Sequence, residues 1–319
     1  MSKWWLVLLL ICASTQAADH GVEVISPGRL LLKEGEMAVG IGSAPATIER
    51  VLIIIHGRLR NAETYRETAE RAAELAGQAS TTLVIAPQFL NETDLAQHPL
   101  PDSVLRWQGN EWMAGGLSTA PFALSSYGAL DQIIGRFADR QQFPALKEVV
   151  IAGHSGGAQV VQRYALLSHD QPELEAAGVR VRFVIANPSS YAYFDERRPV
   201  AFNHAACADF NRWKYGLADL PAYADGQTAT ALEAGYVKRE VVYLLGQQDT
   251  DPNHPALDKS CEARAQGANR LARGRNYFEY LKRDHPQGLN QQLIEVPGVG
   301  HDGDGMFNAP EGRRALFGQ

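Results

Sequence analysis

The sequence is poor in several features that would decide its class. Three cysteines in 319 residues exclude a small disulfide-stapled scaffold. No segment repeats at a solenoid period and no glycine loop of the phosphate-cradling kind is present, which sets aside repeat architectures and nucleotide-binding loops. Basic residues form no stripe and are outnumbered by acidic ones, 30 to 36, giving a net charge of −6 and a pI near 5.9. That balance argues against nucleic acid as a partner. The nine histidines include no His-Glu-x-x-His or other ligand spacing, so the sequence asks for no metal and no cofactor. No apolar run is long enough to span a bilayer.

The longest such run, residues 4–13, follows Lys3 and ends in Ser14-Thr15-Gln16-Ala17-Ala18. One leading positive charge, a short apolar centre and a small-residue end are the marks of a cleaved signal peptide. Residues 1–17 are therefore expected to be removed, with cleavage near Ala17 or Ala18, and the protein to be periplasmic or secreted. Cys12 offers the alternative of a lipid anchor, against which stands bulky Ile11, where such signals carry a small residue. Cleavage leaves Cys207 and Cys261, and an exported chain with two cysteines is expected to join them. Residues 18–319 suffice for one large domain with a substantial core. Its 45% hydrophobic and 21% charged content is ordinary for a globular enzyme.

What is present is organised around residues 147–169. Val149-Val150-Ile151-Ala152 is the short, β-branched run of a central parallel strand covered on both faces. Gly153-His154-Ser155-Gly156-Gly157 follows at once, and then Val160, Val161, Tyr164, Ala165 and Leu167 recur at helical spacing. Chance alone supplies a Gly-x-Ser-x-Gly match about 0.1 times in a chain of this glycine content, so the strand before and the helix after carry the reading. Small neighbours are needed because strand and helix backbones nearly touch at such a turn. Ser155 is thereby lifted to the positive end of a helix, where developing negative charge is favoured.

Further strands are expected at residues 22–25, 37–41, 51–55, 82–86, 181–186, 241–245 and 293–296. Helices are expected at 62–75, from Ser125 or Ser126 to Phe137, at about 262–282, and from Pro310 onward. Asn61 is placed as the cap of the first helix and Gly77 as its end. Strands alternating with helices read as α/β with a mostly parallel sheet.

His56-Gly57 after an apolar strand, the Gly-His-Ser-Gly-Gly turn, Asp249 late in the chain and His301 near its end resemble the α/β-hydrolase superfamily, in its order, over nearly all of residues 18–319. Peptidases of the trypsin type also carry Gly-x-Ser-Gly-Gly but place His and Asp upstream; here His56 is the only plausible upstream base, and its context suits an oxyanion loop better. The resemblance implies a serine hydrolase in which Ser155 attacks, His301 is the base and Asp249 orients it. Asp251, on the same loop, is the alternative acid. It also implies an oxyanion hole from the backbone amides of Arg58, or alternatively Leu59, and Gly156, with a small cap inserted at about 188–238.

The substrate pocket is expected to draw on His56, Trp107, Trp112, His154 and Tyr191, the two tryptophans lying in a long aperiodic stretch beside glycines. For His56 and the tryptophans, structural packing is the competing reading. By analogy of fold the substrate is a small-molecule or polymeric carboxylic ester. A polyester depolymerase, a peptidase or acyltransferase on the same triad, and a non-catalytic ligand-binding protein remain alternatives. The sequence does not speak to oligomeric state.

Overall fold

A computed structural model describes residues 20–169 and 171–318; the expected signal peptide lies outside the described residues. Among those described, no helix is long and apolar enough to cross a membrane.

In chain order the elements are β1 (Gly28–Leu32), β2 (Gly35–Ile41), β3 (Arg50–Ile55), α1 (Ala62–Leu75), β4 (Thr82–Pro87), α2 (Glu92–Gln97), β5 (Arg106–Trp107) and β6 (Ser118–Ala120). There follow α3 (Ser126–Gly135), β7 (Glu148–His154), α4 (Gly156–Leu167), α5 (Pro172–Ala176), β8 (Arg180–Ala186) and α6 (Ala229–Tyr236). The last are β9 (Glu240–Gly246), α7 (Cys261–Arg264), α8 (Arg270–Asp284), β10 (Gln291–Val296), α9 (Gly303–Asn308) and α10 (Pro310–Phe317).

One sheet runs β1-β2-β4-β3-β7-β8-β9-β10. The β1–β2 and β2–β4 pairs are antiparallel and the rest are parallel. All seven residues of β7 are buried, as expected of a strand flanked on both sides and covered on both faces. Alternate side chains of the sheet enter two cores. On one face Ile53, Val149, Ile151 and Tyr243 pack with Tyr127, Val160 and Tyr277 of α3, α4 and α8. On the other Leu52, Ile54, Val150 and Leu244 pack with Ala69, Phe307 and Leu316 of α1, α9 and α10. The parallel strands share one direction, so the loops after β3, β7, β8, β9 and β10 meet at one edge, where open α/β sheets bind ligands.

Three local expectations change. Residues 22–25 form no strand: Val22 N donates to Asp94 Oδ1 and Ser26 N to Gln88 Oε1, so side chains take the amides a sheet would use. The helix expected at 262–282 is two, α7 and α8, because Gly267 adopts φ +150° between them and the Asn269 side chain caps α8 by accepting from Ala272 N at 2.9 Å. Asn61 does occupy the N-cap position of α1, but its side chain makes no cap hydrogen bond.

Cys207 and Cys261 are joined, Cα to Cα 5.8 Å, tying the 188–238 excursion to α7. That excursion begins as core. Tyr191 and Tyr193 are fully buried, Tyr191 stacking on Tyr277 at 4.6 Å between ring centroids.

Candidate active site

The turn after β7 is built by exclusion of side chains. A Cβ on Gly153 would lie 2.5 Å from the Gly157 backbone, and one on Gly157 would lie 2.1 Å from Ile55 O, so β3, β7 and the start of α4 approach this closely only through glycine. Ser155 is left at φ 57°, ψ −115°, a region costly for any residue with a Cβ and associated with functional strain. Its amide is tied to Ala186 O at 2.9 Å, and its carbonyl accepts from Gln159 N.

His301 follows β10 on a loop loosened by Gly298, φ +72°. Its Nε2 is 2.9 Å from Ser155 Oγ and its Nδ1 is 2.8 Å from Asp249 Oδ2. Asp249 sits three residues past β9, buried to 3% exposure, and its Oδ1 accepts from Arg270 Nη1 at 3.3 Å. The competing carboxylates are occupied locally. Asp251 Oδ1 accepts from Asn253 N, and Asp302 caps α9 by accepting from Asp304 N. With Nδ1–H held by Asp249, the ring presents an unprotonated Nε2 to the serine hydroxyl.

Two residues that sequence reasoning missed hold this arrangement. Asn187, at the tip of β8 with φ 49°, accepts from Gly246 N at 2.8 Å and donates to Gly300 O at 3.2 Å, so one amide clamps the acid loop to the histidine loop. An asparagine directly after a buried strand and before Pro188 is the signal that was available, since Asn tolerates left-handed φ. Arg270 is the other, and its only signal is its position at the start of a helix.

The loop after β3 faces the turn. Arg60 N donates to Gly57 O, closing a tight turn with Arg58 and Leu59 at its corner. A Cβ on Gly156 would lie 3.0 Å from Arg58 N, which sets the Arg58 amide beside the first amide of α4, one that no intrahelical acceptor uses. Two adjacent amides of this kind suit a developing oxyanion.

His56 is sealed from solvent. Its Nε2 accepts from Phe89 N at 2.9 Å and its Nδ1 lies 2.8 Å from Gly57 O, so the neutral ring bolts the loop after β3 to the segment after β4. Burial lowers its pKa to about 4. His56, Trp107, Trp112 and Tyr191 were expected in the substrate pocket and are core residues instead, each at most 0% exposed. Trp112 stacks on Phe89 and stands edge-on to His56, because aromatic area of this size is worth more inside than on a wall.

The cavity that opens on Ser155 measures about 290 Å³. Arg58, Asn61, Tyr65, His154, His254 and Asp302 are among its lining residues, and none of residues 188–238 is. His154, expected in the substrate pocket, is among the residues that line this cavity. Its Nδ1 is 2.9 Å from Tyr65 Oη, its ring packs 4.6 Å from that of His301, and burial, then the neighbouring His301 and Arg270, hold its pKa well below the usual value. His254, which the sequence did not single out, sets its ring edge-on to His301 at 5.0 Å. Its pKa is lowered by burial and then by Arg270 and His301. The Tyr65 hydroxyl is held protonated by burial. Among the described residues, Cys207, Cys261 and Glu262 come close enough to share an ion, but the two sulfurs are bonded to each other and lack the thiolate a metal needs.

No protein-family model matches the chain, and no curated protein sequence matches it. Solved structures do. Poly(aspartic acid) hydrolase-1 from Sphingomonas sp. KT-1 aligns with a TM-score of 0.62 at 23% identity, over 88% of this chain and 96% of that one. A poly(3-hydroxybutyrate) depolymerase from Bordetella parapertussis aligns with a TM-score of 0.62 at 23% identity, over 88% of this chain and 86% of that one. With the strand order and the edge at which the loops converge, these likenesses identify the architecture: the chain has the α/β-hydrolase fold.

Proposed function

We propose that the protein is an exported serine hydrolase of carboxylic esters. The observation that carries this reading is the line Asp249–His301–Ser155, with both imidazole nitrogens within 2.9 Å of an oxygen and two backbone amides at hand. In this reading His301 removes the proton from Ser155 Oγ as it attacks the ester carbonyl carbon. Asp249 fixes the tautomer and stabilises the imidazolium, and the amides of Arg58 and Gly156 hold the oxyanion. His301 then protonates the departing alkoxide, and water, activated by the same ring, releases the acid from Ser155. A disulfide among the described residues accords with an oxidising compartment.

A polymeric ester is a second reading. A groove of about 800 Å³, walled in part by Val22, Val24, Ile25 and Pro27, shares Leu59 and Asn61 with the cavity at Ser155, which gives an extended chain somewhere to lie. The two structural neighbours are named for polymer substrates. The test is a panel of 4-nitrophenyl esters of graded acyl length beside a soluble polyester. Turnover of the esters that is absent in Ser155→Ala supports the hydrolase reading, and no turnover of any of them opposes it.

A further inference from the structure

The wall of the cavity at Ser155 carries several hydrogen-bond donors, with Arg58, Asn61, Tyr65 and His154 among its lining residues. The tryptophans and Tyr191, which would have suited a long acyl or aryl group, are inside the core. Leu59 and Ala256 are the aliphatic side chains of the lining. At about 290 Å³ the cavity falls at the lower end of the range for small-molecule sites, which suits a short acyl group better than a fatty one.

The charges in its lining and in the neighbouring loops are unequal in how they are engaged. Asp302 gives an oxygen to Asp304 N and caps α9. Asp249 is shared between His301 and Arg270. Glu63, in the first turn of α1, lies 2.7 Å from Arg66 Nε. Asp251 turns to its own loop. Arg58, by contrast, is exposed and forms no ion pair among the described residues, whereas Arg60, two residues on, is buried with Asp94 at 2.7 Å. Beside Arg58, Asn61 lines the cavity from the N-cap position of the 14-residue α1 with its side-chain amide uncommitted to the helix. An uncapped N-terminus adds partial positive charge there. Independently of both, His154 lines the same cavity at 3% exposure, and its Nε2 has no partner among the described residues. When the Tyr65 hydroxyl donates to Nδ1, that Nε2 carries a hydrogen with nothing to receive it, and a buried donor left so calls for an acceptor.

We propose that the cavity takes esters bearing a carboxylate a few bonds from the scissile carbonyl, with the Arg58 guanidinium and the Asn61 amide as the groups that receive it. The proposal rests on the serine-hydrolase reading and names its substrate class. An arginine fork matches a carboxylate with two parallel N–H bonds. Arg58 then serves twice, by its backbone amide at the oxyanion and by its side chain at the substrate's charge.

The test compares mono-4-nitrophenyl glutarate with 4-nitrophenyl valerate, which have acyl chains of equal length and differ by the carboxylate. The quantity read is the ratio of their kcat/KM values, so any general loss from disturbing the oxyanion loop cancels. In the wild-type protein the ratio is expected to be about fivefold or more at low ionic strength, the size of one partly exposed ion pair, and to fall as salt is added. Arg58→Gln should bring it to about one, and Arg58→Lys should restore part of it. A wild-type ratio of one or less, with valerate still hydrolysed, overturns the proposal and leaves the hydrolase reading standing. A high ratio unchanged in Arg58→Gln overturns the assignment to Arg58. If neither ester is turned over and Ser155 does not react with a fluorophosphonate, the hydrolase reading itself falls and the proposal with it.

Discussion

Arg270 and Asp249 form an ion pair with both side chains sealed from solvent, Nη1 to Oδ1 3.3 Å. The same guanidinium donates through Nε to Ser189 Oγ at 3.1 Å, so it links the acid loop to the segment after β8. Asp249 has one oxygen for Arg270 and one for His301, so its carboxylate is held from both sides. Arg270→Met would leave that carboxylate buried and half-satisfied. It should cost about 3 kcal/mol in denaturant unfolding, because removing one partner of a buried pair strands the other, and it should lower ester turnover as well. A variant as stable and as active as the wild type would remove Arg270 from this account.

The identity of the acid is tested by two amides. Asp249→Asn keeps the size of the side chain but presents the wrong hydrogen-bonding partner to Nδ1, and turnover is expected to fall by up to about 10⁴-fold. Asp251→Asn disturbs a local bond to Asn253 N, worth under about 1 kcal/mol, so turnover should stay within about fivefold. The reverse pattern moves the acid to Asp251.

The Cys207–Cys261 bridge closes a sequence separation of 54 residues. In the chain-entropy model a loop of that length is worth about 4 kcal/mol. Titration of the native protein should find neither thiol free, and reduction should lower the denaturation midpoint accordingly. Free thiols at both positions in the native protein would contradict the bridge.

Much of the fold was legible because its signals are local. The β7–turn–α4 unit announced itself through β-branched residues, small residues at the turn and helical spacing after it, and the parallel strands through short apolar runs. Asp249 and His301 were legible from their places after the last strands. The substrate wall was not. A tryptophan beside glycines reads the same whether it lines a cleft or fills a core, and only three-dimensional packing of Trp112 on Phe89 and His56 decides. Arg270 and Asn187 were missed because each acts across more than twenty residues of sequence or between two strand tips, a relation no periodicity encodes. Asn61 shows the converse, with the right residue at the right boundary and a side chain free of the helix it was expected to cap.

Acid should destabilise the protein through His56. Its pKa is lowered from 6.5 to about 4 by burial, so below 6.5 the unfolded chain binds a proton that the folded chain refuses. The stabilisation is therefore complete above 6.5 and is lost as pH falls from there toward 4. From this group alone the loss by pH 5 is about 2 kcal/mol, and His154, lowered in the same direction, adds to it. Urea midpoints at pH 7 and pH 5 should show the fall, and His56→Gln, weaker at pH 7, should show a shallower slope. A wild-type stability flat over this interval would contradict a neutral buried His56.

The most direct test of the central claim is covalent. Intact-mass and peptide-level spectrometry of the protein treated with a fluorophosphonate should find one adduct, on Ser155, with loss of ester turnover in proportion to labelling. Ser155→Ala should take no label and turn over no ester, while its stability changes by less than about 1 kcal/mol, the hydroxyl being no part of the core. Ester turnover retained in Ser155→Ala, or an adduct on another residue with Ser155 untouched, would contradict the account.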